Sequence, residues 1–400
     1  MSSHTTLLFL VVAIVSAGIA AYLLATFLRI PSALLLIIFG FIVGPQGFSI
    51  VRQELFSGTL IPLVGAGVAI LVFERAFQLN FEQIRQIRPA TLRLVTFGAL
   101  ITLIGTTLLV RAVLRARWDT ALLVGTILMA TGPTIIISFG DSLPSDVNVK
   151  AILEQEGLIN DVTVPIVAVM VFEAITLSEA TLTAFIEALL SRIGIGLIIG
   201  GIIALLLRRL FKSSDYPYRD APQYTRLILI AGAIVAHTSA VLITGKAGIT
   251  AAVTAGILVG NTDILYKEEF GDFEDEITLL VLSFIFIIFT SLISFNSMRL
   301  RGFQVLLFVI GCIVIIRPVA VFASTGAGQF SWRENGVLSF IAPRWLIPTS
   351  VATLFVLRLQ RLSPESAPIL AETVFGMVLI TLLIEGWLIP MLLSRLDTFA

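Results

Sequence analysis

The sequence predicts an all-α, polytopic membrane protein with about 13 transmembrane helices, and three observations carry that expectation. Of its 400 residues 57% are hydrophobic and 13% charged, where a soluble domain carries about 25% charged residues. Mean hydropathy over the chain is +1.03. Apolar runs long enough to cross a bilayer recur from one end to the other, and no stretch has the composition of a separate soluble domain.

The runs fall near residues 5–28, 32–50, 58–79, 92–114, 119–140, 150–176, 182–207, 224–242, 244–261, 276–298, 303–325, 334–360 and 368–396. No Lys or Arg precedes the first, and it exceeds a signal peptide's apolar core, so it reads as a retained helix that stops at Arg29 and Pro31. The break at Thr244-Gly245-Lys246 is the slightest of the set. Placing the N-terminus outside puts the Arg85/Arg88 loop and the basic stretch from Arg208 to Arg226 in the cytoplasm, as the positive-inside bias favours.

Two spans are interrupted. Span 5 carries Ala130-Thr131-Gly132-Pro133-Thr134, and span 12 carries Ala342-Pro343-Arg344-Trp345-Leu346-Ile347-Pro348-Thr349-Ser350. Pro and Gly there release backbone groups from the helical ladder, and such groups persist at membrane depth only when buried or lining a cavity. Spans 5 and 12 are seven apart. Six-span repeats, 1–6 and 8–13 around a linking span 7, would relate them as an inverted repeat.

Span 6 carries Glu154, Glu156 and Asp161 in its first half. A carboxylate at a helix centre costs roughly 2.5–3.5 kcal/mol on insertion scales and usually faces a cavity, a partner or an ion path. Glu154, Gly157 and Asp161 follow i, i+3, i+7 and share a stripe; Glu156 and Asn160 form the stripe beside it. Gly157 leaves a notch one turn before Asp161. A carboxylate near freed carbonyls suits a hard cation, and the same group takes a proton where desolvation disfavours its charge. One group that holds either, and never both well, is the least that antiport requires.

Arg317 and Arg344 read as the Arg residues deepest in apolar surroundings, and Arg keeps its charge, so each must meet an acid or carbonyls. Pairing Glu156 with Arg317 for structure is the preferred reading of those two. Glu74, towards the end of span 3 beside Arg75, divides evenly between a site role and a snorkelling interfacial acid. His237 and Lys246 read as core or interface residues, and the acidic run from Glu268 to Glu276 as a solvated loop. The lone Cys312 allows no intrachain disulfide, and zero net charge argues against nucleic acid. With only His4 and His237 there is no zinc or Ser/His constellation, and no filter-like repeat suggests a channel, so neither an enzyme nor any cofactor is expected.

Thr131-Gly132-Pro133-Thr134, then Glu156 to Asp161, then Arg317-Pro318, then Pro343-Arg344 resemble, in order and over essentially the whole chain, the monovalent cation:proton antiporter-1 family of NhaP-like and NHE-like Na⁺/H⁺ exchangers. Phe73-Glu74 and Gly256…Gly260-Asn261 match further landmarks. The resemblance implies a homodimer in a prokaryotic cell (inner) membrane, with scaffold helices in 1–91 and 177–300 and an elevator-like core in 92–176 and 301–400. Two broken helices would cross at Thr131 and near Trp345–Pro348. It implies that Asp161 holds the cation or the proton, that Thr131 and Glu74 help bind Na⁺, that Asn160 organises the site, and that Glu156 pairs with Arg317. Asn160 before the Asp implies electroneutral exchange of Na⁺, or Li⁺ or K⁺, for H⁺. Gly157, where many members have Ser, and the bulky Trp345-Leu346-Ile347-Pro348 depart from the pattern and bear on cation preference.

Overall fold

A computed structural model describes residues 3–28, 30–56, 58–85, 87–132, 147–177, 182–212, 222–262, 270–325, 330–341 and 344–384. Every regular element among them is helical. The first half of the chain forms α1 (Ser3–Leu28), α2 (Ser32–Val43), α3 (Leu60–Gln78), α4 (Phe81–Arg85), α5 (Pro89–Leu114), α6 (Trp118–Ile127) and α7 (Val147–Thr176). The second half forms α8 (Leu182–Lys212), α9 (Pro222–Thr244), α10 (Gly248–Gly260), α11 (Phe270–Ser291) and α12 (Phe295–Thr325). It closes with α13 (Trp332–Phe340), α14 (Leu346–Leu362) and α15 (Ser366–Leu383). Each apolar run of the sequence contains one of these helices. Among the described residues, eight helices are long and apolar enough to cross a membrane.

Two compact units can be distinguished, with bounds that fall inside α7 and α11. The first comprises Met1–Leu60, Ile87–Asn160 and Ser283–Ala400; the second comprises Ile61–Gln86 and Asp161–Leu282.

In the first unit the chain is interrupted where its Pro and Gly residues require it. α6 starts with Asp119 in its first turn, favourable to the helix dipole, and ends at Ile127; Ala130, Thr131 and Gly132 are not helical. Pro133 and Thr134 lie outside the described residues, as do Arg29, Ala342, Pro343 and Glu268. α13 opens on a capping box, in which Ser331 Oγ accepts from Glu334 N and the Glu334 carboxylate accepts from Ser331 N. It ends at Phe340 with Ile341 extended. The helix resumes at Leu346, so of the expected Trp345–Pro348 break only Trp345 lies outside it: Pro348 occupies the first turn of α14, where a missing N–H leaves no ladder bond unmade.

Two π-turns, Leu94–Gly98 in α5 and Cys312–Ile316 in α12, each insert a residue into an otherwise regular helix. They fall in spans 4 and 11, seven apart like the two breaks. The second ends immediately before Arg317.

In the second unit α8, α9 and α10 pack together, and α10 lies unusually close to α3. Gly256 and Gly260 face the carbonyls of Phe73 and Phe77; a Cβ at residue 256 would stand 2.5 Å from Phe73 O. Asn261 fastens the end of that contact. Its Nδ2 donates to Leu79 O at 2.7 Å and its Oδ1 accepts from Phe81 N at 2.7 Å. α7 carries Pro165 within its length.

Candidate functional site

In the first unit, four polar groups named by the sequence come together as two buried pairs. Thr131, freed from helical geometry by the break after α6, has its hydroxyl within reach of α7, and Asn160 Nδ2 donates to Thr131 Oγ1 at 3.2 Å. One turn earlier on α7, Glu156 receives Arg317 from α12: Nη1 donates to Oε1 at 2.5 Å and Nη2 to Oε2 at 2.8 Å. This is the fork geometry in which guanidinium and carboxylate satisfy each other twice. Both residues are almost fully buried, so each is the condition for the other's charge. Arg344 is also buried and lines, with Arg317, a small cavity among Cys312, Ser339, Met377 and Thr381.

In the second unit Asp161 is 1% exposed, and neither of its carboxylate oxygens has a hydrogen-bond partner among the described residues. The nearest opposite charge is Arg75 on α3, with Nε 3.8 Å from Oδ2. Glu74 is buried as well and accepts a hydrogen bond from the Thr278 hydroxyl. Of the remaining sequence candidates, Gly157 is buried and Glu154 half-buried on α7.

Three charged constellations were not foreseen. Arg75 is buried beside Glu74, a third buried Arg besides Arg317 and Arg344; in the sequence it figured only as the neighbour of Glu74. Glu173, near the end of α7, pairs with Arg192 of α8 and with Lys246 at 2.9 Å. Lys246 also donates to Thr176 Oγ1 at 2.8 Å and lies over the Phe172 ring, so the slight break before α10 reaches back to brace α7. Glu372 of α15 pairs with Arg301 of α12 at 2.9 Å. A lone acid within an apolar run was the available signal for both Glu173 and Glu372.

A family model described as sodium/hydrogen exchanger, transmembrane, matches residues 11–395. The chain belongs to the sodium/hydrogen exchanger family. Among its relatives, the Na(+)/H(+) antiporter ApNhaP of Aphanothece halophytica is 26% identical over an alignment covering 97% of this chain and 74% of that one. The K(+)/H(+) antiporter NhaP2 of Shewanella sp. strain ANA-3 is 23% identical, covering 90% of this chain and 61% of its own length. The structure of the sodium proton antiporter MjNhaP1 from Methanocaldococcus jannaschii at pH 8 matches with a TM-score of 0.81 at 21% identity, covering 99% of each chain, and so shares the fold. This sodium/hydrogen exchanger is therefore a transporter and not an enzyme, built as a multi-pass protein of a prokaryotic cell membrane.

The geometry of Glu156 and Arg317 gives a direct expectation for stability. Removing either partner strands the other in the interior, at a cost of about 3–5 kcal/mol. Glu156→Ala and Arg317→Ala should each lower the melting temperature, and the double variant should lose less than the sum. A thermal-shift double-mutant cycle measures this, and strict additivity would show that the two groups do not couple.

Proposed function

We propose that this exchanger moves Na⁺ in one direction and H⁺ in the other, with cation and proton competing for Asp161. The observation that carries the reading is a carboxylate 1% exposed on a membrane span, both oxygens without hydrogen-bond partners among the described residues, in a chain of this family. A buried carboxylate held by hydrogen bonds alone would be a structural group; one whose lone pairs are unspent is suited to a cation or a proton. The relatives named as Na(+)/H(+) antiporters supply the choice of ion. A second reading, K⁺/H⁺ exchange, is supported by the similarity to a relative named as a K(+)/H(+) antiporter.

The roles of Thr131, Asn160 and Glu74 as further members of the site are carried over from the motif resemblance, as are the homodimer, the 13 spans and the elevator-like movement of a core against a scaffold. The pairing of breaks and of π-turns seven spans apart supports the inverted repeat on which such movement depends. Hydrogen-bonded Thr131 and Asn160 would hold the broken segment after α6 in place against α7.

Asp161→Asn should abolish exchange while the protein still inserts and folds, because an amide neither takes up a proton nor neutralises a cation. Proteoliposomes loaded with a pH-sensitive dye and titrated separately with Na⁺, K⁺ and Li⁺ give the readout. Exchange at the parent rate by a correctly inserted variant would refute the assignment.

Competition for one group also fixes the sign of the pH dependence. As pH falls protons occupy Asp161, so the apparent KM for the cation should rise with proton concentration and activity should decline on the acid side. A KM that stays flat as pH falls through the acid limb of the activity profile contradicts a single shared group.

With Asn160 rather than a second acid beside Asp161, one cation out per proton in moves no net charge. A membrane potential, which does about 2.3 kcal/mol of work per 100 mV on each net charge, then has nothing to act on. Imposing a potential with valinomycin and K⁺ should leave Na⁺-driven exchange unchanged, provided K⁺ is not itself carried. A steep response would bring in a second titrating group, with Glu74 the first to examine.

A further inference from the structure

Arg75 is a buried charge that the proposed exchange does not use and that lies beside Asp161. It lies on α3 and is 7% exposed, with its Nε 3.8 Å from Asp161 Oδ2. That separation makes an ion pair but is too long for a hydrogen bond. Its Nη1 donates instead to Gln78 Oε1 at 3.3 Å, one turn along the same helix. Among the described residues, Arg75 attracts the Asp161 carboxylate and Glu74, itself bonded to Thr278, repels it.

The backbone beneath Arg75 has no room to withdraw towards α10. Gly256 and Gly260 abut the carbonyls of Phe73 and Phe77, two residues before and after Arg75, and Asn261 ties α10 to Leu79 and Phe81 just beyond. With the main chain fixed on that side, only the flexible side chain has latitude, and Gln78 restrains its head.

We infer that Arg75 is a tethered counter-ion that competes with the transported cation for Asp161 and so sets the affinity of the exchanger. This rests on the reading of Asp161 as the ion-carrying carboxylate. When no cation is bound, the guanidinium neutralises a charge that would otherwise stand uncompensated in the interior. When a cation arrives, it meets a like charge a few ångströms away and binds less tightly than the carboxylate alone would allow. Arg does not release its proton at any working pH, so its part is one of charge and not of proton transfer. The loose geometry fits the role: the pair separates without breaking a hydrogen bond, and both Asp161 oxygens keep their lone pairs.

The test is Arg75→Gln in the full chain, reconstituted in proteoliposomes, with Na⁺ titrated at alkaline pH. KM for Na⁺ should fall by about tenfold, the low end of what an adjacent opposite charge does to a carboxylate's affinity, while kcat does not rise in proportion. The acid limb of the pH profile should move to higher pH, because the proton also gains Asp161 more readily. Arg75→Lys keeps the charge and should hold KM nearer the parent value. An unchanged or higher KM in Arg75→Gln overturns the inference. Asp161→Asn measured alongside separates the two levels: exchange by that variant refutes the site itself, whereas a silent Asp161→Asn with an unmoved KM in Arg75→Gln refutes only the counter-ion. Gln78→Ala offers an independent route should Arg75→Gln not insert. Releasing the guanidinium to close on Asp161 should weaken the rise in melting temperature that Na⁺ produces in the purified protein, and an undiminished rise counts against the inference.

Discussion

Inside a bilayer a charge has no water to turn to, and the arrangement of this chain follows from how each buried acid is answered. Glu156 meets Arg317 through two hydrogen bonds, Glu372 meets Arg301, and Glu173 meets both Arg192 and Lys246. These pairs join α7 to α12, α12 to α15, and the end of α7 both to the next helix, α8, and to the turn before α10. A pair of this kind adds little net stability compared with a well-packed apolar contact, but breaking it is costly, so it specifies which helices must lie together. Asp161 is the exception: among the described residues its cationic neighbour, Arg75, stands off and leaves its oxygens uncommitted. The contrast separates acids that define the fold from the acid proposed to take the ion.

Backbone geometry supports the same division. Helical ladders satisfy their own polar groups, and the segments around Thr131 and Ile341 depart from the ladder where Gly or Pro makes the departure cheap. The π-turn ending at Ile316 changes the facing of everything after it, and Arg317 is the first residue beyond. The side chain that anchors Glu156 is thus aimed by a local irregularity of α12 as well as by its own chemistry.

Much of this was legible in the sequence because membrane insertion makes strong demands. A bilayer-length apolar run, a Pro-Gly break and an intramembrane acid are each expensive enough to leave a visible mark, and the helices, the two interruptions and the Glu156–Arg317 pair could be anticipated from them. Arg75 was missed because hydropathy reports how far along a span a residue lies and not which way it faces. Near a span's end, an acid and a base side by side look alike whether they reach out to lipid headgroups or turn inwards. The extent of the second break was overread for a related reason: Pro348 signals interruption in a helix interior, yet is well accommodated in a first turn. The π-turns left no mark, since their residues are as apolar as those around them. Asn261 was noticed as a landmark, but its work in joining α10 to the end of α3 depends on contacts between residues about 180 positions apart.

Pro165 has a consequence of its own. Proline has no amide hydrogen, so the main-chain carbonyl four residues earlier cannot receive its usual helical bond, and that carbonyl belongs to Asp161. At one residue the helix therefore presents two kinds of oxygen. The carboxylate changes its charge whenever a proton comes or goes, whereas the carbonyl is a dipole that stays an acceptor throughout. Residue 161 thus keeps one acceptor whose strength does not change with the protonation of its side chain.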